Sequence, residues 1–262
     1  MTDPEIRARH DLALEVAAEA GRTAHRFWLD RDRLVVEAKG GPQDVVSEAD
    51  RTVERELRAA IGARFPDDGF LGEEYGLTPG RSGFTWVMDP IDGTSPYLHG
   101  MPNWCVALAI LKGADCVAAV TEVPTHGETY AGIRGAGAQL NGKPLRIPGH
   151  LTMRSGITAI GASAYSDPEF TGRKIRELLE QGGMFFRNGS GALMLAYVAA
   201  GRLAGYFEPV MYPWDCLGGL MMIGEAGGQS LPLRHAPEDA ARERVVAGAP
   251  GAWEEIRTLF GS

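Results

Sequence analysis

Basic residues are in short supply. The 262-residue chain sets 26 lysines and arginines against 34 aspartates and glutamates, a net charge of −8, so it carries no positive field to hold a nucleic-acid backbone. Cysteine is also scarce. Cys105, Cys116 and Cys216 are odd in number, far apart and free of CxxC spacing, which argues against a disulfide framework or a zinc knuckle and for a reduced compartment. The six histidines, at 10, 25, 99, 126, 150 and 235, show no ligand spacing. No stretch approaches the ~18 uninterrupted apolar residues of a membrane span, and Met1-Thr2-Asp3-Pro4-Glu5 lacks the basic start and apolar run of a signal peptide. The expectation is a cytoplasmic protein with neither membrane nor nucleic acid as a partner. An anionic ligand would require metal ions or a local positive site to offset the chain's acidity.

What is present is ordinary globular material, 44% hydrophobic and 23% charged, enough for a large core or two fused subdomains. Asp3-Pro4 reads as an N-cap followed by proline at the first helical position, and Leu12, Val16, Ala20, Ala24, Phe27 and Trp28 recur at helical spacing. Val46, Val53, Leu57, Ile61 and Arg64 predict a second helix stopping at Phe65-Pro66. From Phe84 the pattern changes to short apolar runs, predicting strands at 84–88, 104–111, 116–123 and 128–133, with an Asn141-Gly142 hairpin signal. Pro144 to Pro148 marks a seam, giving an N-terminal α+β subdomain at 1–147 and a C-terminal α/β subdomain at 148–262. In the second half the same reasoning predicts strands at 157–162, 203–208 and 244–247. Helices are expected through Ile175, Leu178 and Leu179, at 192–200, at 214–226 and at the C-terminal end. Helices followed by strands, twice over, predict stacked layers with two sheets.

The chemistry sits in acidic residues. Trp86-Val87-Met88 runs into Asp89-Pro90-Ile91-Asp92-Gly93-Thr94, and strand ends leading into tight loops are where α/β enzymes place reactive groups. A plain β-turn uses the same residue types. Gly72-Glu73-Glu74 supplies a second acidic pair, and Asp215 opens a helix, where a first-turn charge against the helix dipole is the ordinary alternative. Asp50 is either the acid of a Ser47-x-x-Asp50 capping box or a functional carboxylate on a face that is expected to be buried. Several acids without adjacent lysines or arginines suggest a divalent metal. Hard oxygen ligands without a histidine or cysteine cluster favour magnesium over zinc.

Taken in order, Lys39, Asp44-Val45-Val46-Ser47-Glu48-Ala49-Asp50, Gly72-Glu73-Glu74, Asp89 to Thr94, Trp214-Asp215 and Glu225-Ala226-Gly227-Gly228 resemble the motifs of the inositol monophosphatase family. That resemblance implies an α/β (α+β) fold, a five-layer α-β-α-β-α sandwich of the sugar-phosphatase type. It implies Glu73, Asp89, the Ile91 carbonyl, Asp92 and Asp215 as ligands for two or three magnesium ions, with Gly93 and Thr94 holding phosphate. It also implies sensitivity to lithium, a homodimer, and hydrolysis of a small phosphorylated metabolite by metal-activated water without a phosphoenzyme. In that scheme Glu73 and Thr94 activate the water, with Asp50 holding Thr94 or a metal-associated water. Lys39 would lie in a mobile loop, or is an ordinary surface lysine. Ser95, Gly189, Ser190, Gly191, Glu208 and Asp215 would contact substrate. Glu208 matches the acid that grips hydroxyls in inositol-type members, whereas Pro209 and Met211 are similar to the histidinol-phosphate phosphatase branch. Histidinol phosphate, fructose 1,6-bisphosphate and 3'-phosphoadenosine phosphates therefore stand as alternatives to inositol monophosphate. Pro90 occupies the place where a haloacid-dehalogenase phosphatase needs its aspartyl nucleophile, which argues against that class. A catalytically inactive regulatory module is disfavoured by the complete set of acids.

Overall fold

The computed structural model describes residues 3–34, 36–41 and 44–261. The first helix, α1, spans Pro4–Leu29 behind Asp3, whose carboxylate accepts the Glu5 N–H at 2.9 Å. It buries Leu12, Val16, Ala20 and Ala24, as their spacing predicts. The second helix, α2, spans Glu48–Arg64. Val46, which the spacing assigned to it, lies instead in the strand Asp44–Ser47, antiparallel to Val36–Gly41. The cause is local: Ser47 and Asp50 close a capping box, which sets the first helical residue at Glu48.

A short helix, α3, follows at Thr94–Leu98, and the C-terminal half carries α4 at Pro168–Glu180, α5 at Gly191–Ala199, α6 at Pro213–Glu225 and α7 at Trp253–Phe260. An eight-stranded sheet runs edge to edge through Lys143–Pro144, Gly137–Leu140, Glu128–Ile133, Asp115–Val123, Cys105–Lys112, Phe84–Asp92, Gly69–Gly72 and Gly76–Thr78. A five-stranded sheet runs through Met184–Phe186, Ile157–Ile160, Gly205–Met211, Glu243–Gly248 and Gln229–Ser230. Helices α1 and α2 cover one face of the large sheet, α5 and α6 lie between the sheets, and α4 and α7 cover the far side of the small one. This is the five-layer α-β-α-β-α order. Both faces of the strand Phe84–Asp92 are covered, Trp86 and Met88 joining the core under α1 and α2 while Val87 joins the core of the middle helices. That is why it reads as a continuous apolar run.

The strand does not stop at Met88. It continues to Asp92 with a register shift between Asp89 and Asp92 against the neighbouring strand. Proline is tolerated in a sheet at such a bulge, and Pro90 sits in this one. The bulge aims the end of the strand at the site.

One buried ion pair ties α1 to this sheet. Arg9 presents Nε and Nη2 to the two oxygens of Asp68, each at 2.8 Å, with its guanidinium 3.7 Å from the Phe84 ring centroid and 4.3 Å from that of Phe65. Burial alone would raise the Asp68 pKa. The bonds from Arg9, Ser82 and Trp86 hold it below the ordinary value. Arg9→Lys replaces a planar fork by a point charge and loses a bond and the ring stacking, so the urea midpoint is expected to fall by the equivalent of ~1–2 kcal/mol with the m-value unchanged. A midpoint equal to wild type would show that the fork contributes nothing.

Candidate active site

Three carboxylates from distant parts of the chain meet at the end of that strand. Ligand oxygens of Asp89, Asp92 and Asp215 all lie within 4.8 Å of one another. Asp89 accepts the Ile91 N–H at 2.9 Å across the bulge. Asp92 meets the start of α5, accepting the Ser190 hydroxyl, the Ala192 N–H at 2.8 Å and the Gly191 N–H at 3.2 Å. Asp215, in the first turn of α6, accepts the Tyr212 N–H at 3.2 Å.

Burial raises the pKa of Asp89, and the charges of Glu73, Asp92 and Asp215 push it further up. Burial does the same to Asp215, with Asp92 and Glu73 adding to it. For Asp92 burial also dominates, opposed by the bonds from Ser190, Ala192 and Gly191. Like charges forced together in a dry site need a cation, and an all-oxygen donor set suits a hard divalent ion. Among the described residues no lysine or arginine pairs with any of the three. The residues present therefore fit magnesium.

Glu73 stands next to this trio and in electrostatic reach of it. Its turn is anchored twice: the Glu73 N–H donates to the Met88 carbonyl at 3.3 Å, and the fully buried Glu54 of α2 accepts the N–H of Glu74 at 2.7 Å and of Tyr75 at 3.3 Å. A Cβ at Gly72 would overlap the Glu54 carboxylate, so this close approach requires glycine. Gly93 has φ +91°, and a Cβ there would meet the Asn103 carbonyl at 2.8 Å. It turns the chain from the strand into α3, where the Thr94 hydroxyl donates to the Ile91 carbonyl at 3.1 Å.

A cavity of about 720 Å³ opens over these residues, with Glu73, Gly93, Thr94, Ser95 and Gly189 in its wall. A smaller one of about 140 Å³ is lined by Asp92, Asp215, Gly191 and Glu208. The buried Glu208 carboxylate accepts the Tyr206 hydroxyl, and burial pushes its pKa up to about 7. Ser190 is fully buried and stands beneath Asp92, supporting that carboxylate. Asp50 makes its bonds to the N–H and hydroxyl of Ser47, at 2.9 and 2.6 Å, and burial raises its pKa to about 6. The side chain of Lys39 lies outside the described residues. Glu54, Arg187 and Asn188 were missed by sequence reasoning. For Glu54 a signal existed, because it follows Asp50 by one helical turn on the apolar side of α2.

With the geometry in hand, likeness to known proteins carries further. An inositol-1-monophosphatase of Rhizobium meliloti is 35% identical over 254 residues, covering 95% of each chain. A histidinol-phosphatase of Chlorobaculum parvum is 32% identical, covering 90% of this chain and 88% of its own. The crystal structure of the extragenic suppressor protein suhB from Bartonella henselae superposes with a TM-score of 0.89 at 30% identity, covering 96% of this chain and 98% of that one. By fold, site and these relatives the protein is a phosphatase, a phosphoric monoester hydrolase. The sequence model of the inositol monophosphatase family matches residues 6–259, and the chain belongs to that family.

Among the described residues, no helix is long and apolar enough to cross a membrane.

Proposed function

We propose that the protein hydrolyses the phosphate monoester of a small polyol or sugar, with inositol monophosphate as the type, and uses magnesium to do so. The observation that carries this reading is the trio Asp89, Asp92 and Asp215, gathered within 4.8 Å beside a cavity of sugar-phosphate size. Together with Glu73 and the Ile91 carbonyl they would hold two or three ions. When bound, such ions neutralise phosphoryl oxygens, activate water and stabilise a leaving alkoxide. The chain's own groups do the rest. Glu73 and Thr94, in one cavity wall, orient the attacking water and accept its proton. Gly93 leaves backbone N–H groups open to the phosphate. Asp50 fixes the start of α2, and α2 in turn holds the Glu73 turn through Glu54. A cytoplasmic homodimer is the assembly in keeping with this reading.

Hydrolysis in heavy-oxygen water tests the reaction itself. A single turnover is expected to place one solvent oxygen in the released phosphate, with no phosphoenzyme trapped. A phosphoenzyme trapped on Asp89 or Asp92 would overturn direct attack by water.

Glu208 accounts for the leaving group. A carboxylate there accepts from vicinal hydroxyls, and in a second reading pairs with the ammonium of histidinol phosphate, which the likeness to a histidinol-phosphatase supports. Glu208→Gln separates the two. A polyol phosphate is expected to lose about fivefold in kcat/KM, the difference between a charged and a neutral acceptor, whereas a cationic substrate loses its countercharge and the salt dependence of its binding. Equal rates on every substrate would remove Glu208 from the site.

A further inference from the structure

Two neighbouring residues in the cavity wall are not used by the reaction just described. Arg187 lines both the 720 Å³ and the 140 Å³ cavities, and among the described residues lining them it is the one with a permanent positive charge. Its Nη2 donates to the Ala162 carbonyl at 2.9 Å, a bond that holds the guanidinium in the cavity wall and uses one of its N–H groups. Among the described residues it forms no ion pair. In a chain of net charge −8 an arginine in a cavity whose one carboxylate in electrostatic reach, Glu208, forms no ion pair with it keeps its fork available to a ligand.

Asn188 adds a second, independent mark. Its Oδ1 accepts the Ser190 N–H at 2.9 Å, and that bond decides which end of the amide is oxygen. The other end, Nδ2, is therefore a donor, and it is buried without a partner. Native structures leave few such groups unsatisfied, and this one belongs to a residue that lines a ligand cavity. Asn188 is 7% exposed and lines the same cavity as Arg187.

We infer that Arg187 and Asn188 form a second anion subsite, which takes a phosphate or carboxylate carried by the leaving group of the substrate. The inference rests on the phosphatase reading above and narrows its substrate class to phosphate esters that bear another anionic group. Magnesium and the acidic trio serve the scissile phosphate. A second anion has no metal to neutralise it and needs a cation of its own, which Arg187 supplies as a fork matched to phosphate and carboxylate oxygens. Asn188 adds a neutral donor beside it.

The test pairs substrates that differ only in the second anion: fructose 1,6-bisphosphate against fructose 1-phosphate, and 2-phosphoglycerate against glycerol 2-phosphate. Each is assayed by magnesium-dependent phosphate release from the full chain. The charged member is expected to be favoured in at least one pair, and which pair responds distinguishes phosphate from carboxylate. Arg187→Gln is expected to cut that preference about tenfold or more. Asn188→Asp keeps the acceptor for Ser190 and turns the spare donor into an acceptor, so it too is expected to lower the preference. No preference for the charged member in either pair, a preference that survives both substitutions, or an equal loss on both members of a pair would overturn the subsite while leaving the phosphatase reading intact. Absence of magnesium-dependent phosphate release from all four substrates and from inositol monophosphate would overturn that reading, and the subsite with it.

Discussion

Asp89→Asn is expected to lower magnesium-dependent kcat/KM by about a thousandfold or more, ~4 kcal/mol of transition-state stabilisation, while making the metal-free protein more stable than wild type. Asparagine retains an oxygen to accept the Ile91 N–H, so the bulge keeps its geometry. The other oxygen becomes an NH₂ group, which cannot bind a cation. Removing that charge also relieves the repulsion among Asp89, Asp92, Asp215 and Glu73 that raises the Asp89 pKa. Asp92→Asn behaves differently, since Asp92 accepts from Ser190, Gly191 and Ala192 and an amide NH₂ would face donors at the start of α5. It is expected to lose activity and stability together. Kinetics and thermal melts of the two variants make the comparison. Near-normal turnover of Asp89→Asn at saturating magnesium would remove Asp89 from the metal site.

Metal-free protein is expected to lose stability as pH rises from about 5 to 7, and magnesium is expected to restore it most strongly at the upper end. The sign follows from the carboxylates. Burial raises Asp50 to about 6 and Glu208 to about 7, and raises Asp89 and Asp215 as well. An acid whose folded pKa exceeds its unfolded value is bound to its proton more tightly in the native state. Its contribution is complete below the unfolded pKa and is lost as pH climbs through the folded one. Acids held below their ordinary value, Asp68 among them, titrate on the acid side of this window, whereas His10, lowered by burial, has the opposite sign and offsets part of the loss. A cation competes with the protons, so its stabilisation grows as they leave. At a magnesium concentration near a hundred times Kd the gain is ~2.7 kcal/mol, or about 5–10 °C in Tm. Differential scanning with and without magnesium at both ends of the window measures this. A magnesium shift that is the same at both would contradict the linkage.

The parts of this site legible in the sequence are those written in contiguous residues. An apolar strand ending in Asp89-Pro90-Ile91-Asp92-Gly93-Thr94, and a proline-led helix opening on Asp215, state their elements and their chemistry within a few positions. Less legible were features that depend on chain segments far apart. Asp92 finds its hydrogen-bond donors 98 to 100 residues away, at the start of α5, and no local pattern announces that Ser190 will stand beneath it. The bulge at Pro90 extends a strand that local propensity ends at Met88, because pairing with the neighbouring strand overrides the turn signal. Asp50 illustrates a choice the sequence posed in full, between capping acid and functional carboxylate. Its bonds to Ser47 satisfy the first, and its burial beside the acidic trio keeps the second in play. Arg187 and Asn188 sit on a loop, where periodicity carries no information.

Inorganic phosphate release from inositol monophosphate, histidinol phosphate, fructose 1,6-bisphosphate, 3'-phosphoadenosine 5'-phosphate and another sugar phosphate, with magnesium and after its removal by chelation, tests the central claim most directly. At least one of them is expected to be turned over in a reaction that is lost on chelation, returns on adding magnesium and is absent from Asp89→Asn. Phosphate release that persists without any divalent cation, or that Asp89→Asn retains, would contradict it.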